Sequence, residues 1–257
     1  MEENDEYRPV GGGAEILRFA RAASGDVMDE ARRLLEAMVG YKELRMMYSC
    51  ALKEVRTKFE VLNMEFNVRH RRNPISSINT RLKSNQSIME KMRRRSVPFS
   101  LENLQKHIQD VAGVRVICSY VDDIYLLSEA LLRQDDIALL ARKDYIRHPK
   151  PNGYRSLHLI VRVPVFFADQ KRELPVEVQI RTIAMDFWAS LEHQMKYKQN
   201  IPEQEAIVEQ LRLCAQRVSE LDEEMMSIRS RIEAAKDNPS QDDVLLERLT
   251  HLEAPLD

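Results

Sequence analysis

Apolar residues recur at intervals of three and four from Val27 to about Phe66, which is the spacing of one buried helix face. The pattern predicts one long helix, or two helices separated by a break near Gly40. Pro74 and its Ser/Asn-rich neighbours then interrupt the helical period. We therefore expect a loop there, followed by a new helical element that opens at Arg81.

Further along the chain, short segments alternate between apolar and polar residues. This period of two predicts strands over 110–120, 157–167 and 175–181. Helical spacing predicts helices over about 122–134 and 185–198. Strands and helices that follow one another in this way indicate a mixed α/β layer.

Beyond Pro202 the apolar residues follow a heptad pattern with charged residues between them. The heptad positions are Ile207, Leu211, Cys214, Val218, Leu221, Met225, Ile228 and Ile232. Such a seam requires a partner, either the first helix of the same chain or another subunit, and its length and terminal position favour oligomerisation. Leucines over 245–252 suggest a further short helix. We predict a disordered tail over 1–25, a mixed domain over 26–200 and a helical oligomerisation segment over 201–257.

Composition narrows the class of protein. The chain has 257 residues, of which 44% are apolar and 31% charged, so it can bury a core and is not disordered throughout. Its apolar runs are shorter than the roughly 20 residues of a membrane helix, and its acidic, Gly-rich start does not resemble a secretory signal. We expect a cytoplasmic protein without membrane contact. Three scattered cysteines, Cys50, Cys118 and Cys214, indicate buried thiols rather than disulfides.

Charge is distributed unevenly along the chain. Residues 69–95 hold nine Lys or Arg and one acid, whereas residues 201–257 hold six Lys or Arg and fourteen acids. The basic segment suits a polyphosphate or nucleic-acid ligand, and the acidic segment disfavours nonspecific binding of nucleic acid. The alternative is a solvated, ion-paired surface.

The sequence lacks the common nucleotide-binding and hydrolase motifs. It contains no G-x-x-x-x-G-K-[ST], and Gly11–Gly13 do not follow a predicted strand, so neither a P-loop nor a dinucleotide fingerprint is present. No histidine is followed by Asp, and no Ser/His/Asp or Cys/His motif has local support. Any nucleotide must therefore be held by side chains.

Candidate chemistry lies on the strand predicted over 175–181, where alternation places Glu177, Gln179 and Arg181 on one face. Asp110 stands at the entrance of the first predicted strand. Two carboxylates from neighbouring strands can share one Mg²⁺ with phosphate oxygens and water, so we expect Asp110 and Glu177 to form a metal site. The alternative is an ordinary solvent-exposed sheet face.

Two basic segments flank this candidate centre. Over 142–155, cations accompany rings that can stack on a base: Arg142, Lys143, Arg147, Lys150, Arg155, Tyr145 and Tyr154. The upstream residues suited to phosphate are Arg81, Lys83, Ser87, Lys91 and Arg94. Two such segments suggest two nucleotides, with phosphoryl or pyrophosphoryl transfer as the leading class of reaction. A mobile basic loop is the alternative for 142–155.

Four segments over about 76–198, which include both basic segments and the candidate centre, resemble the small alarmone synthetases, which are single-domain relatives of the RelA/SpoT (p)ppGpp synthetases. The matching segments are RLKSNQSIMEKMRRR, DVAGVRVICSYVDDIY, KDYIRHPKPNGYRSLHLIV and VEVQIRTIAMDFWASLEH. The resemblance implies a pyrophosphokinase that moves the β,γ-diphosphate of ATP to the ribose 3′-hydroxyl of GDP or GTP. It also implies an α+β fold, with a mixed five-stranded nucleotidyltransferase-like sheet surrounded by helices, and a homotetramer formed through terminal helices.

The resemblance also implies roles for particular residues. Asp110 and Glu177 would hold the Mg²⁺, and Glu177 would be the base for the 3′-hydroxyl. The ATP-binding residues would be Arg81, Lys83, Ser87, Lys91, Arg94 and Arg115, with adenine between Arg81 and Arg115. The residues that bind GDP or GTP would be Tyr154, stacked on guanine, and Arg142, Lys143, Lys150, His158, Gln179 and Glu192.

Three positions depart from the family members that bind alarmone in a central cleft. Ser77, Thr80 and Asp186 stand where such members have Phe, Gly and Asn, and the added carboxylate would repel a polyphosphate. We therefore expect the RelP-like subtype, without product activation through that cleft. No hydrolase domain precedes the matching region, so we expect synthesis without degradation.

Two competing functions fit the same fold. A pyrophosphokinase acting on the tRNA 3′ end would need a broad basic surface, which the acidic C-terminal segment disfavours. An inactive RNA-binding or scaffold relative would not need to keep Asp110, Glu177 and Tyr154 together with a basic segment.

Overall fold

A computed structural model of the chain describes residues 13–196 and 204–236, with side chains described over 27–195 and 205–234. The helices are α1 (Gly13–His70), α2 (Asn85–Arg94), α3 (Leu101–His107), α4 (Val121–Leu132), α5 (Ile183–Lys196) and α6 (Gln204–Lys236). The strands are β1 (Ile75–Leu82), β2 (Ala112–Cys118), β3 (Ala138–Asp144), β4 (Leu157–Phe166) and β5 (Lys171–Thr182). Within the described ranges, no helix is long and apolar enough to span a membrane.

The chain divides into two compact units. Among the described residues, unit 1 comprises 13–47 and 86–108, and unit 2 comprises 48–85, 109–196 and 204–236. Unit 1 contains the first part of α1, most of α2 and the short helix α3. Unit 2 contains the rest of α1, all five strands and the helices α4 to α6.

The first predicted helix is continuous and longer than its apolar pattern indicates. Helix α1 runs through Gly40 without a break. It also includes residues 13–25, which we expected to be poorly ordered. Residues 1–12 and the short helix expected over 245–252 lie outside the described residues.

The sheet of unit 2 has the strand order β1-β2-β5-β4-β3. Strands β2 and β5 are parallel, and all other neighbours are antiparallel. The strands predicted over 110–120, 157–167 and 175–181 are β2, β4 and β5, which are the three central strands. The prediction of an α+β fold with a mixed five-stranded sheet and surrounding helices is confirmed.

One face of the central strands is apolar and forms the core. In β4 every second residue from Leu157 to Val165 is buried, and β5 continues the pattern from Leu174 to Ile180. Helix α4 packs on this face and contributes the fully buried residues Ile124, Leu127 and Leu131. Burial of each such side chain stabilises the fold by about 1.5–3 kcal/mol. The opposite face of the same strands is therefore left for polar residues.

The sequence patterns do not predict the edge strands β1 and β3. The expectation that Arg81 opens a helix is wrong, because Arg81 lies in β1 and pairs with Gly113 of β2. Arg142 and Lys143, which we expected in a loop, lie in β3. Strand β1 buries only Ile75 and β3 buries no residue, so neither shows the alternation of a half-buried strand.

Helix α6 uses part of its heptad seam inside the chain. It packs on α5 in a small cluster of Trp188, Ala189 and Ala215, which Leu211 and Val218 complete. The Trp188 indole N–H donates to the Leu211 carbonyl oxygen at 2.9 Å. The later seam residues are exposed, and they are Leu221, Met225, Ile228 and Ile232. The seam is therefore packed inside the chain only through Leu211 and Val218, and Cys214, which we expected to be buried, is exposed between them.

Candidate active site

One face of the sheet carries two neighbouring rows of mainly polar residues. Residues paired across adjacent strands point to the same face. The first row, from β1 to β3, is Asn79, Arg115, Gln179, His158 and Lys143. The second row contains Arg81, Gly113 and Glu177. Strand pairing thus brings together residues that we assigned to ATP and residues that we assigned to the acceptor nucleotide.

Gly113 lies between Arg81 and Glu177 and leaves space on this face. A cavity of about 220 Å³ opens there, and its lining includes Arg81, Arg115, Glu177 and Gln179. A Cβ atom at position 113 would lie 3.7 Å from Cγ of Arg81, which is ordinary van der Waals contact. The glycine therefore widens the cavity rather than relieving a clash. Pockets that enclose whole small ligands measure about 300–1,000 Å³, so this cavity suits part of a nucleotide.

Asp110 lies just before β2, as the sequence predicts. Lys83 Nζ donates a hydrogen bond to Asp110 Oδ2 at 2.9 Å, and both side chains are mostly buried. The backbone N–H of Lys83 also donates to the Val111 carbonyl oxygen at 2.8 Å. Two hydrogen bonds thus fasten the end of β1 to the start of β2 and place a cation against the Asp110 carboxylate.

Glu177 has an N–H group near each carboxylate oxygen. Gln179 Nε2 donates to Oε2 at 2.9 Å, and His158 Nδ1 lies 3.5 Å from Oε1. Burial acts to raise the pKa of Glu177, but His158 and Gln179 outweigh burial and the nearby Asp110 charge, so its pKa lies below the ordinary value. Glu177 is therefore ionised at neutral pH, within electrostatic range of Asp110.

The Tyr154 hydroxyl is hydrogen-bonded on two sides. It lies 2.8 Å from His158 Nε2, and it accepts a hydrogen bond from Arg181 Nη2 at 3.0 Å. Burial raises the pKa of Tyr154, so the hydroxyl keeps its proton at neutral pH. Which of the two groups donates in the contact with His158 depends on the tautomer of the imidazole.

Arg181, to which we assigned no role, occupies the centre of a charged cluster. It is 2% exposed, and its Nη2 also donates to Gln179 Oε1 at 2.8 Å. Asp186 Oδ1 lies 3.3 Å from Arg181 Nη1 and 3.4 Å from Arg115 Nη1. The carboxylate that we expected to repel a polyphosphate is thus paired with two guanidinium groups. Alternation places Arg181 on the polar face, but no sequence signal shows that this cation is buried.

The segment between β3 and β4 holds two tyrosine rings around one ammonium group. Lys150 Nζ lies 4.7 Å from the centroid of the Tyr145 ring and 4.6 Å from that of Tyr154. At the start of the segment, Asp144 Oδ1 accepts hydrogen bonds from two following backbone N–H groups, both at 3.1 Å. These hydrogen bonds hold the start of the segment in a turn, and the Lys150 ammonium group lies near both rings.

Two further contacts anchor this segment beside Tyr154. Glu192 of α5 accepts a hydrogen bond from Asn152 at 2.9 Å. Gly153 has a φ of +87°, and a Cβ atom there would lie 2.5 Å from Cβ of Ala215 in α6. Glycine is required both by the left-handed backbone and by this close approach. The sequence analysis missed this contact, since nothing in the sequence pairs position 153 with α6.

Some predicted site residues do not lie on this face. Arg142 neighbours Lys143 in β3 and points to the opposite face, where it donates to Glu129 of α4 at 3.0 Å. The structure therefore does not bring Arg142 to the acceptor side, because successive residues of a strand alternate between faces. Three predicted ATP residues belong to α2 in unit 1 and stay a prediction: Ser87, Lys91 and Arg94.

A mixed sheet with an acid among cations beside a cavity is typical of enzymes that transfer phosphate-containing groups between nucleotides. Residues 80–202 match a family model described as a region found in RelA/SpoT proteins. GTP pyrophosphokinase YwaC of Bacillus subtilis is 40% identical over 206 residues, which cover 80% of this chain and 97% of the relative. GTP pyrophosphokinase YjbM of the same organism is 37% identical over 192 residues, covering 74% and 88%.

Among solved structures, this chain is similar to small alarmone synthetase 1 from Bacillus subtilis bound to its product pppGpp. The TM-score is 0.68 at 36% identity, and the match covers 75% of this chain and 98% of that chain. The chain belongs to the RelA/SpoT family. The resemblance to the small alarmone synthetases is confirmed.

Proposed function

We infer that the protein is a GTP pyrophosphokinase, a transferase that moves the β,γ-diphosphate of ATP to the 3′-hydroxyl of GDP or GTP. The products are AMP and the alarmone ppGpp or pppGpp. The observation that carries this conclusion is the convergence of Glu177 with cations of neighbouring strands on one sheet face. This convergence occurs in a chain that is 40% identical to a named GTP pyrophosphokinase along most of its length.

ATP lies on the β1 and β2 side of the polar face in this proposal. Arg81 and Arg115 line the cavity at Gly113 and hold the adenine between their guanidinium planes. Lys83 is kept nearby by its hydrogen bond to Asp110 and neutralises phosphate charge. The pairing of Arg115 with Asp186 supports this position of the adenine, because it orients the Arg115 guanidinium group. One carboxylate shared by Arg115 and Arg181 does not neutralise both cations.

The acceptor nucleotide lies on the β4 side in this proposal. Tyr154 stacks on the guanine, a contact that contributes about 1–3 kcal/mol per base. Lys150, beside the Tyr154 ring, and Lys143 of β3 bind the acceptor phosphates. His158 and Gln179 lie in the same row as Lys143 and line the path to Glu177. Glu192 affects acceptor binding indirectly, because it holds Asn152 in the segment that carries Tyr154.

We propose that Asp110 and Glu177 bind Mg²⁺. No group of three or more His, Cys, Asp or Glu suited to a metal occurs among the described residues. A pair of carboxylates is a donor set that Mg²⁺ accepts, because this ion takes one or two carboxylates and completes its shell with phosphate oxygens and water. Bound Mg²⁺ would neutralise charge on the transferred diphosphate. The charge of Asp110 acts to raise the pKa of Glu177, so the two carboxylates interact electrostatically, which supports this proposal.

In the reaction, Glu177 accepts the proton of the 3′-hydroxyl as that oxygen attacks the β-phosphorus of ATP. The bond between the β-phosphorus and its bridging oxygen to the α-phosphate breaks, and AMP leaves. His158 and Gln179 lower the pKa of Glu177 by more than burial raises it, so the base stays ionised at neutral pH. The surrounding Arg and Lys side chains stabilise the charge of the polyphosphate and hold both nucleotides in line.

Incubation with γ-labelled ATP, Mg²⁺ and a single acceptor tests the function directly. The acceptors are GMP, GDP, GTP and tRNA, each in a separate reaction. We expect label on GDP and GTP, an equal release of AMP, and no transfer after EDTA removes the metal. Label on tRNA alone would instead indicate a tRNA pyrophosphokinase, and no transfer to any acceptor would indicate an inactive relative.

We also propose that the chain assembles as a homotetramer through its terminal helices. Helix α5 exposes an apolar stripe at four-residue spacing, formed by Ile183, Phe187, Leu191 and Met195. Helix α6 exposes the second half of its heptad seam, formed by Leu221, Met225, Ile228 and Ile232. Contiguous apolar surface of this kind is unusual on a soluble monomer and marks interfaces.

Sedimentation equilibrium of the full chain measures this assembly. We expect a single species of about four times the 30.0 kDa chain mass. A species of 30.0 kDa that persists at micromolar protein would contradict an obligate oligomer.

A further inference from the structure

Arg181 is a buried cation from which two arms of polar contacts lead to Glu177. Its side chain is 3% exposed, and it lies in β5 on the same polar face as Gln179 and Glu177. A guanidinium group carries donors only and has no acceptor. Every hydrogen bond that starts at Arg181 therefore has a fixed direction.

The first arm passes through Gln179. Arg181 Nη2 donates to Gln179 Oε1 at 2.8 Å, and Gln179 Nε2 donates to Glu177 Oε2 at 2.9 Å. Since the guanidinium group can only donate, the amide oxygen of Gln179 must face Arg181. The amide NH₂ group then faces Glu177, where it favours the ionised carboxylate.

The second arm passes through Tyr154 and His158. Arg181 Nη2 donates to the Tyr154 oxygen at 3.0 Å, and the same oxygen lies 2.8 Å from His158 Nε2. Because the ionised Glu177 carboxylate can only accept, the tautomer that completes this arm accepts the Tyr154 proton at Nε2. A neutral imidazole that accepts at Nε2 carries its proton on Nδ1. Nδ1 of His158 lies 3.5 Å from Glu177 Oε1. Both arms thus end with an N–H group that faces one oxygen of Glu177.

Asp186 is the counter-ion of Arg181. A buried charge without a partner is strongly destabilising. Asp186 Oδ1 lies 3.3 Å from Arg181 Nη1, on the other terminal nitrogen from the one that serves the two arms. Asp186 therefore stabilises the charge of Arg181 while Nη2 stays engaged with Gln179 and Tyr154.

We propose that Arg181 is a positioning residue that sets the direction of the hydrogen bonds in both arms and so holds Glu177 in one orientation. The same guanidinium group fixes the hydroxyl end of the Tyr154 ring, so it also orients the acceptor base. This inference rests on the proposed function, in which Glu177 is the base and Tyr154 stacks on guanine.

Steady-state kinetics of Arg181→Met test the inference. Methionine keeps much of the side-chain volume but donates no hydrogen bond. We expect kcat to fall by about 10²-fold, within the range that a positioned general base contributes, and the acceptor KM to rise several-fold. The ATP KM should stay within about twofold, because Asp186 still pairs with Arg115. Arg181→Lys retains the charge and should recover part of kcat.

The tautomer of His158 provides a readout that does not depend on activity. We expect two-bond ¹H–¹⁵N spectra to show the proton on Nδ1 in the wild type and a mixture of tautomers in Arg181→Met. Tyr154→Phe retains the ring and the buried cation but removes the second arm. We expect Tyr154→Phe also to show a mixture of His158 tautomers. This variant keeps the inference testable if Arg181→Met does not fold.

Arg229→Met is the matched control for loss of a largely buried arginine. Arg229 of α6 pairs with Asp122 at 3.0 Å and Glu233 at 2.7 Å, beyond the C-terminal end of β2. We expect it to lower the melting temperature without changing kcat, either KM or the His158 tautomer.

Three results would overturn the inference: wild-type kinetics in Arg181→Met, a fall in kcat with both KM values unchanged, or an unchanged His158 tautomer in Tyr154→Phe. A wild-type enzyme that transfers no diphosphate would instead contradict the proposed function. The spectra remain informative in that case, so the two failures are distinguishable.

Discussion

Replacement of Glu177 by Gln should lower kcat by about 10³-fold or more while the fold stays intact. An amide of nearly the same shape fills the site, but it can neither accept the proton of the 3′-hydroxyl nor contribute charge to a metal site. A positioned general base alone contributes about 10²–10⁴-fold. Glu177 lies on a central strand, whose backbone pairing the substitution does not touch. The amide oxygen can still accept from Gln179 or His158, but the amide NH₂ group faces the other donor, so one of these two contacts is lost. The measurement is kcat together with the melting temperature.

Glu173→Gln is the matched control for this substitution. Glu173 lies on the same strand, is about half exposed, and contacts only Arg162 and Lys171 in loose ion pairs of 3.9 and 3.7 Å. Exposed pairs of this kind contribute about 0–1 kcal/mol, so kcat and stability should remain those of the wild type. Full activity in Glu177→Gln would remove Glu177 from the mechanism.

Replacement of Gly153 by Ala should destabilise the protein by about 2–4 kcal/mol and raise the acceptor KM at least fivefold. A φ of +87° strains any residue with a Cβ, and this Cβ would lie 2.5 Å from that of Ala215. Either the segment that carries Tyr154 or helix α6 must move. Because Tyr154 packs beside the same cluster as Ala215, the displacement reaches the acceptor base. Chemical denaturation and steady-state kinetics measure the two effects.

The double variant Gly153→Ala with Ala215→Gly separates the steric cause from the backbone strain. Removal of the Ala215 Cβ eliminates the 2.5 Å contact but leaves the unfavourable φ. We expect the double variant to recover most of the acceptor KM and part of the stability. An acceptor KM in Gly153→Ala equal to that of the wild type would show that α6 does not position this segment.

The central strands were predictable because the sequence of each one alternates between apolar and polar residues. Strand β4 alternates buried and less buried positions from Leu157 to Val165, and β5 does so from Leu174 to Ile180. Such alternation is local, and it is visible without knowing which strand lies next to which. The same pattern correctly placed Glu177, Gln179 and Arg181 on one polar face.

The edge strands were not predictable in this way. Arg81 lies in a strand whose burial is confined to Ile75, and Arg142 lies in one with no buried residue. These segments are strands because their backbones pair with β2 and β4, and a local pattern does not contain that information. The unpredicted strand β3 also affects the site assignment of Arg142. In β3 this side chain donates a hydrogen bond to Glu129 and points away from the site.

The effect of a charged residue was also not predictable from the sequence, as Asp186 shows. From the sequence we expected its carboxylate to repel a polyphosphate, since residue type alone gives only the sign of the charge. In the structure, Asp186 lies against Arg181 and Arg115 and serves as their counter-ion. A charge acts through the groups within a few ångströms, and here these include Arg115 of β2, which lies 71 residues away in the sequence, as well as the nearby Arg181.

The amino-acid sequence by itself determined the class of fold, the central strands and the residue types of a site for two nucleotides, because periodicity and composition are local properties. Only the tertiary structure decided which residues share a face, how Arg181 connects to both oxygens of Glu177, and why position 153 must be glycine. These features depend on contacts between segments far apart along the chain. Directional hydrogen bonds and close packing act over a few ångströms, so they exist only once the strands and helices are in register.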